Sequence, residues 1–138
     1  MKIFLDANVL VSVLNKEYPV FSYSSRVLSL ADNKSFKVYT SPLCLAIAFY
    51  FAEKKSGSTH ARAKINFLSE KLLFTTIGPK TVELVRKNKS IHDIEDGLQY
   101  YSALESGCKC IITEDKNDFY FSEIKVLSSR QFIENTIL

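Results

Sequence analysis

The stretch DIEDGLQYYSALESGCKCIIT, residues 93–113, decides the fold because it joins a helix to a strand. Acidic residues fill its first turn, where the helix dipole favours negative charge, so a helix is predicted from Asp93 to Glu105. Gly107 ends that helix, and KCIIT, residues 109–113, then has the β-branched and apolar character of a buried strand. A helix that leads directly into an apolar strand is typical of a parallel α/β sheet.

The rest of the chain repeats this alternation. Further strands are predicted at KIFL 2–5, FKVYT 36–40, FTTIG 74–78 and IKVLS 124–128. Further helices are predicted at 8–15, 19–33, 42–56, 60–73, 79–88 and 129–137. The helix that begins at Ser41-Pro42 is apolar nearly all round, so it is expected to be buried on several sides. These elements predict the α/β class, with three α/β/α layers around a central, mostly parallel sheet.

Length and composition limit the organisation of the chain and its environment. With 138 residues and 46% hydrophobic content, residues 1–138 are expected to form a single domain. Three cysteines without framework spacing disfavour a disulfide-stabilised, secreted protein and favour a reducing cytoplasm. The longest apolar run, residues 43–52, is about half of the roughly 20 residues that a membrane-spanning helix needs. No membrane association is therefore expected.

Acidic residues gather at the predicted strand ends. Five of the six aspartates, Asp6, Asp93, Asp96, Asp115 and Asp118, follow an apolar strand or begin a helix. In a parallel sheet, the carboxyl ends of the strands meet at one edge, where ligands bind. Carboxylates brought together there repel one another unless a cation neutralises them. With few histidines and cysteines available, such a cluster selects Mg²⁺ or Mn²⁺ over Zn²⁺.

The individual acids also have structural interpretations that remain open. Asp6 could cap the following helix, and Asp93 and Glu95 could simply complement a helix dipole. Asp93 and Asp96 share a helix face, whereas Glu95 is rotated away by about 100°. Asp115 is preferred to Asp118 as a ligand because it lies nearer to the strand end. Asn8 and Thr113 are expected to orient ligands or phosphate without binding metal directly.

Four segments together resemble the PIN-domain family of metal-dependent ribonucleases. They occur in the family's order and cover nearly the whole chain: FLDANVLVSVL, TSPLCLA, DIEDGLQYYSALESG and IITEDKNDF. The likeness is greatest to the small bacterial PIN proteins that act as toxins of toxin–antitoxin pairs. The resemblance implies a Mg²⁺- or Mn²⁺-dependent endoribonuclease, with an RNA substrate and a small antitoxin protein as partners.

The resemblance also implies roles for particular residues. Catalytic roles fall to Asp6, Asp96 and Asp115, and Asp93 and Asp118 join them as metal ligands. The family normally has a further acid in the helix after the second strand, where this chain has Ile47. Seventeen Phe and Tyr residues in a small domain leave aromatic side chains for a homodimer face or an antitoxin helix.

Other functions are considered beside the nuclease. The missing acid at Ile47 suggests a catalytically weak PIN fold that serves as an RNA- or protein-binding module. A phospho-acceptor receiver domain is disfavoured because no acid follows the strand FKVYT, and a DxD phosphatase would need an acid at Asn8. A basic stretch before the acidic helix could hold RNA phosphates or could be an ordinary solvated helix end. It consists of Arg86, Lys87 and Lys89.

Overall fold

The computed structural model of the chain describes residues 1–137. Its strands are β1 Lys2–Leu5, β2 Lys37–Thr40, β3 Leu73–Phe74, β4 Cys110–Ile112 and β5 Lys125–Leu127. Its α-helices are α1 Ala7–Leu14, α2 Phe21–Ser29, α3 Pro42–Ser56, α4 Ser58–Lys71, α5 Pro79–Lys87, α6 Ile94–Glu105 and α7 Ser129–Phe132. A 3₁₀ turn at Leu30–Asp32 follows α2, a second at Lys116–Phe119 follows β4, and a π-helical turn at Ile133–Ile137 follows α7.

The five strands form one sheet in the order β3-β2-β1-β4-β5, and every neighbouring pair is parallel. Strand β1 is central, with Phe4 opposite Tyr39 of β2 on one side and Ile111 of β4 on the other. Residues 3–5 of β1 are completely buried although their side chains alternate between the two faces, so helices cover both faces of the sheet. The predicted α/β/α class is confirmed.

Helix α3 begins and ends where the sequence indicates. The Ser41 hydroxyl accepts a hydrogen bond from the Cys44 backbone N–H at 2.9 Å, and Gly57 ends the helix with a φ of +80°. The expectation that α3 is buried on several sides is met only in part. A stripe of small residues at 44, 48 and 52 packs against α1 and α4, whereas Tyr50 and Phe51 are 51% and 45% exposed. Leu45, Ile47 and Phe49 are partly buried against the core, so α3 is covered over part of its circumference and open at Tyr50 and Phe51.

Helix α6 is set against α5 by a close approach at Gly97. A Cβ atom at this position would lie 2.9 Å from Val85 Cγ1 and 2.9 Å from Ile91 Cγ2. These carbons are short, branched side-chain atoms in a packed interface, so they cannot move aside cheaply. The glycine of DIEDG therefore fixes how α6, and the acids of its first turn, sit on the domain.

Strand β3 is shorter than the predicted FTTIG. It pairs only with Tyr39 and Thr40 of β2 at the edge of the sheet, and α4 ends at Lys71.

Among residues 1–137, no helix combines the length and apolar character that crossing a bilayer requires.

Candidate active site

Asp6 lies where β1 ends and α1 begins, at the carboxyl edge of the sheet. Its backbone N–H donates to the carbonyl oxygen of Ile112 at 3.0 Å, which ties it to the end of β4. Its Oδ1 accepts from the backbone N–H of Ala7 at 2.8 Å, and Cys44 Sγ lies 3.8 Å from the same oxygen. Asp6 is thus the cap of α1 and also an acid held at the meeting point of β1, β4 and α3.

Thr113, which is completely buried, holds this junction together. Its hydroxyl donates to Asp6 Oδ2 at 2.9 Å and accepts from Asn8 Nδ2 at 3.0 Å. The side-chain Oδ1 of Asn8 in turn accepts from the backbone N–H of Glu114 at 3.1 Å, and the Asp115 backbone N–H donates to the Thr113 hydroxyl at 3.1 Å. Asn8 and Thr113 therefore orient Asp6 and the turn after β4, in the positions where the sequence predicts supporting residues.

Asp93 and Asp96 occupy different positions at the start of α6. Asp93 is the N-cap, and its Oδ1 accepts from the backbone N–H groups of Glu95 at 2.9 Å and Asp96 at 3.3 Å. Because both bonds come from the first turn of α6, the Asp93 carboxylate stabilises the start of that helix. Asp96, one turn into the helix and partly buried, faces the other acids.

A cleft of about 360 Å³ collects the acids from three separate segments. The residues that line it are Asp6, Ala7, Asn8, Val11, Glu17, Ile47, Phe51, Glu95, Asp96 and Asp118. Of the predicted metal ligands, Asp6, Asp96 and Asp118 thus share one cleft, together with the predicted supporting residue Asn8. Asp93 and Asp115 lie beside it, close enough for their charges to act on residues within it.

The positions of Asp118 and Glu95 differ from the order of preference that the sequence suggests. The 3₁₀ turn Lys116–Phe119 is anchored by Phe119, which is only 2% exposed, and this turn directs Asp118 into the cleft while Asp115 stays exposed. Asp115 is nearer to the strand end along the chain but farther from the cleft wall. Glu95 also lines the cleft, although helix geometry alone turns it away from Asp96.

Burial, and then the charges of neighbouring acids, raise the pKa of the carboxylates in the cleft. Burial, followed by the charges of Asp93, Asp118, Asp6 and Glu95, raises the pKa of Asp96 from 3.8 to about 7. Burial is also the main cause that raises the pKa of Asp6, against hydrogen bonds from Ala7 and Thr113 that lower it. Burial and the charge of Asp115 raise the pKa of Asp118. Negative charge is therefore concentrated here beyond what the chain's own contacts neutralise.

The donor set of the cleft fits a hard divalent cation. All of its acidic ligands are carboxylates, the groups that Mg²⁺ and Mn²⁺ prefer. Within residues 1–137, no three His, Cys, Asp or Glu side chains stand close enough together to surround an ion directly. Mg²⁺ does not need such a cage, because it usually keeps several waters and binds one or two carboxylates.

A family model for the PIN domain matches residues 2–117 of the chain. The chain belongs to the PIN-domain family. The resemblance that the sequence motifs indicate is thereby confirmed.

Known relatives of this PIN domain include curated and solved proteins. Ribonuclease VapC1 of Aquifex aeolicus is 29% identical over 136 residues, which cover 96% of this chain and 94% of the relative. The structure of VapBC2 from Rickettsia felis, bound to a DNA fragment from its promoter, matches with a TM-score of 0.70 at 19% identity, covering 93% of this chain and 98% of that one. Mycobacterium tuberculosis VapC20, a sarcin-ricin loop cleaving toxin, matches with a TM-score of 0.61 at 18% identity, covering 79% and 86%. At these identities, the two structures establish the fold.

The basic residues predicted to hold RNA lie on another surface of the PIN domain. Arg86 and Lys87 both face Glu83, at 3.9 Å and 3.1 Å, so their charge is partly neutralised. Arg86 and Lys89 line a separate groove that also contains Ile94, the residue between Asp93 and Glu95. The groove adjoins the start of α6 and is not part of the acidic cleft.

Four residues of the cleft in this PIN domain are absent from the sequence-based predictions, and two of them, Ala7 and Val11, follow Asp6 on α1. Glu17 reaches it from the loop after α1, and Phe51 from the exposed side of α3. Nothing in the sequence predicts that Glu17 lines the cleft, because its position depends on how the loop turns back. The only signal for Phe51 is that it lies four residues after Ile47, on the same helix face.

Proposed function

We propose that the chain is a divalent-metal-dependent endoribonuclease, with Mg²⁺ or Mn²⁺ as cofactor, and the toxin of a toxin–antitoxin pair. The observation that supports this most is the cleft in which Asp6, Asp96 and Asp118 meet from three distant segments. The name of the Aquifex relative, a ribonuclease that matches along nearly the full length of both chains, supports the reaction class.

The residues of the cleft have distinct tasks in this reaction. A bound divalent ion supplies hydroxide from water and stabilises charge on the phosphate. Asp6, Asp96 and Asp118 would hold the ion, one or two of them directly and the rest through its waters, and Thr113 fixes the Asp6 carboxylate through its hydroxyl. The raised pKa of Asp96 means that its proton must leave before it can act as a ligand, so ion binding strengthens as the pH rises through about 7.

The partners follow from the same proposal. The substrate is RNA, and a small antitoxin protein binds the domain; the fold that the chain shares with VapBC2 of Rickettsia felis supports this. Residues 1–138 act as a single PIN-like domain in the cytoplasm. The exposed aromatic side chains of α3, Tyr50 and Phe51, offer a surface for homodimerisation.

One observation favours a second function. Ile47 lines the cleft at the position where the family normally has an acid, so the cleft has one carboxylate fewer and a more apolar wall. A PIN domain with weakened ion binding would serve as an RNA- or protein-binding module. Ion affinity and RNA cleavage must therefore be measured separately.

The test combines a cleavage assay with calorimetry. Purified protein is incubated with RNA and Mg²⁺, beside the double variant Asp6→Asn/Asp96→Asn and the control Asp32→Asn, whose carboxylate lies outside the cleft. Cleavage by the parent and the control, with none by the double variant, is the expected result. Equal cleavage by the double variant would refute the proposal. The absence of both measurable Mn²⁺ binding and RNA cleavage in the parent would favour the binding module.

A further inference from the structure

His92 and Tyr120 form a stacked pair of rings beside the acidic cleft. Their ring centroids are 5.7 Å apart, with 25° between the planes. Tyr120 follows Asp118 by two residues, so their Cα atoms are at most about 7 Å apart, and His92 directly precedes Asp93. Both of these acids act electrostatically on Asp96. The ring pair therefore lies on the two segments that carry Asp93 and Asp118, next to the acids of the cleft.

Hydrogen bonds fix the pair in place. The Tyr120 hydroxyl donates to the carbonyl oxygen of Ser90 and accepts from the backbone N–H of His92 at 3.3 Å. Phe121 makes an edge contact with the Tyr120 ring, with centroids 5.3 Å apart and planes at 89°. The rings are thus ordered before any ligand arrives, which lowers the entropy that binding would otherwise cost.

The pair is nevertheless open to solvent. Tyr120 is 57% exposed and His92 is also exposed, so these rings add little to the core. Aromatic side chains, including histidine, are the groups on which unpaired RNA bases stack. The neighbouring carboxylates of Asp93 and Asp118 repel a phosphate at this spot but do not repel a neutral base. The local charge therefore selects a base over the backbone.

We propose that the His92–Tyr120 pair is a stacking platform for an unpaired base of the RNA strand whose phosphate enters the acidic cleft. This rests on the proposed function, because it assumes that RNA is the ligand of the cleft. The platform positions the strand and takes no part in bond breaking. Because every base has a flat aromatic face, it would accept any base and would prefer purines by their larger stacking area.

The test compares two oligomers in an Asp96→Asn background, which prevents cleavage. One is fluorescein-labelled oligoadenylate of about 10 nucleotides, within the length that one such binding surface covers. The other is an abasic ribose-phosphate oligomer of equal length and charge. Fluorescence polarisation gives the Kd of each for the background protein and for three added variants: Tyr120→Ala, Tyr120→Phe and Phe67→Ala.

Removal of the ring should affect only the oligomer that has bases. Tyr120→Ala should raise the Kd for oligoadenylate by roughly five- to a hundredfold and leave that for the abasic oligomer unchanged. Tyr120→Phe keeps the ring and should retain most of the affinity. Phe67→Ala, which removes a 49% exposed ring from α4, should have no effect. Equal losses for both oligomers, or none for either, would overturn the platform.

Histidine NMR gives a second measurement, because the chain has only two histidines, His60 and His92. Oligoadenylate should shift the ring proton signals of His92 upfield and leave those of His60, on α4, in place. If oligoadenylate binds but the His92 signals do not move, base stacking on the pair is refuted, whereas RNA binding by the protein is not. If the background protein binds neither oligomer, both the platform and the proposal that RNA is the ligand of the cleft are refuted. If the parent cleaves RNA but the bases do not contribute to binding, only the platform is overturned.

Discussion

Replacing Asp96 by asparagine should stabilise the metal-free protein while abolishing its proposed activity. The carboxylate is partly buried among like charges, chiefly Asp93 and Asp118, and its pKa rises from 3.8 to about 7. Asparagine has nearly the same shape and no charge, so it removes the repulsion without leaving a cavity. A residue whose loss strengthens the fold and removes the function marks a site where charge is kept for a ligand.

The sign and size of the effect follow from proton linkage. Between its unfolded pKa and its folded pKa, Asp96 binds more proton in the folded state, so stability falls as the pH rises through this window. The difference of about 3 pKa units would correspond to about 4 kcal/mol if it were fully expressed. Solvent screening of a partly exposed carboxylate reduces this to roughly 1–2 kcal/mol. Because asparagine carries no charge, Asp96→Asn should remove this loss of stability at pH 8.

The assay is thermal unfolding in EDTA at pH 8 and pH 4, followed by circular dichroism. Asp96→Asn should raise the Tm by roughly 3–8 °C at pH 8. At pH 4, Asp96 is protonated in a large fraction of the unfolded chains as well. The gain in Tm should therefore fall to less than half of the gain at pH 8. Asp32→Asn is the control, because exposed Asp32 pairs with Lys71 at 2.6 Å and its loss should cost at most about 1 kcal/mol. A lower Tm for Asp96→Asn at pH 8, or an equal gain at both pH values, would refute the charge argument.

Three further predictions concern the cleft and its support. Asp118→Asn should lower RNA cleavage roughly a hundredfold, because a lost ion ligand removes several kcal/mol of transition-state stabilisation. Asp115→Asn should lower cleavage about tenfold or less. Equal losses would contradict the assignment of Asp118, and not Asp115, as the ligand. Ile47→Glu should raise Mg²⁺ affinity in calorimetry about tenfold, as one carboxylate about 6 Å from the ion does in water. Gly97→Ala should lower the free energy of unfolding in urea by about 1–3 kcal/mol through overpacking, and Gly78→Ala, with no atom within 4 Å of the added carbon, should not.

Much of the fold could be predicted because local signals and packing agree. Ser41-Pro42 begins α3 and Gly107 ends the turn after α6, as their capping and backbone preferences require. The apolar segments around Ile3 and Ile111 are buried strands because no alternation of polar residues interrupts them. These features depend on residues close together in the chain.

The parts that could not be predicted depend on neighbours distant in the chain. The exposure of Phe51 follows from which sides of α3 other helices cover, and a uniformly apolar helix carries no record of that. The choice between Asp115 and Asp118 depends on a 3₁₀ turn that burial of Phe119 anchors. Glu17 enters the cleft only through the path of a loop. Spacing along a strand or helix cannot supply this information.

The hydrogen bond between Thr113 and Asp6 has a consequence for the biosynthesis of the protein. The two residues are 107 positions apart, and β1, which leaves the ribosome before the other four strands, lies at the centre of the sheet beside β4. A growing chain therefore carries Asp6 long before Thr113 or Asp118 exists to complete the cleft. Whatever chemistry the cleft performs is withheld from partial translation products and begins only when the last third of the domain has folded onto the first strand.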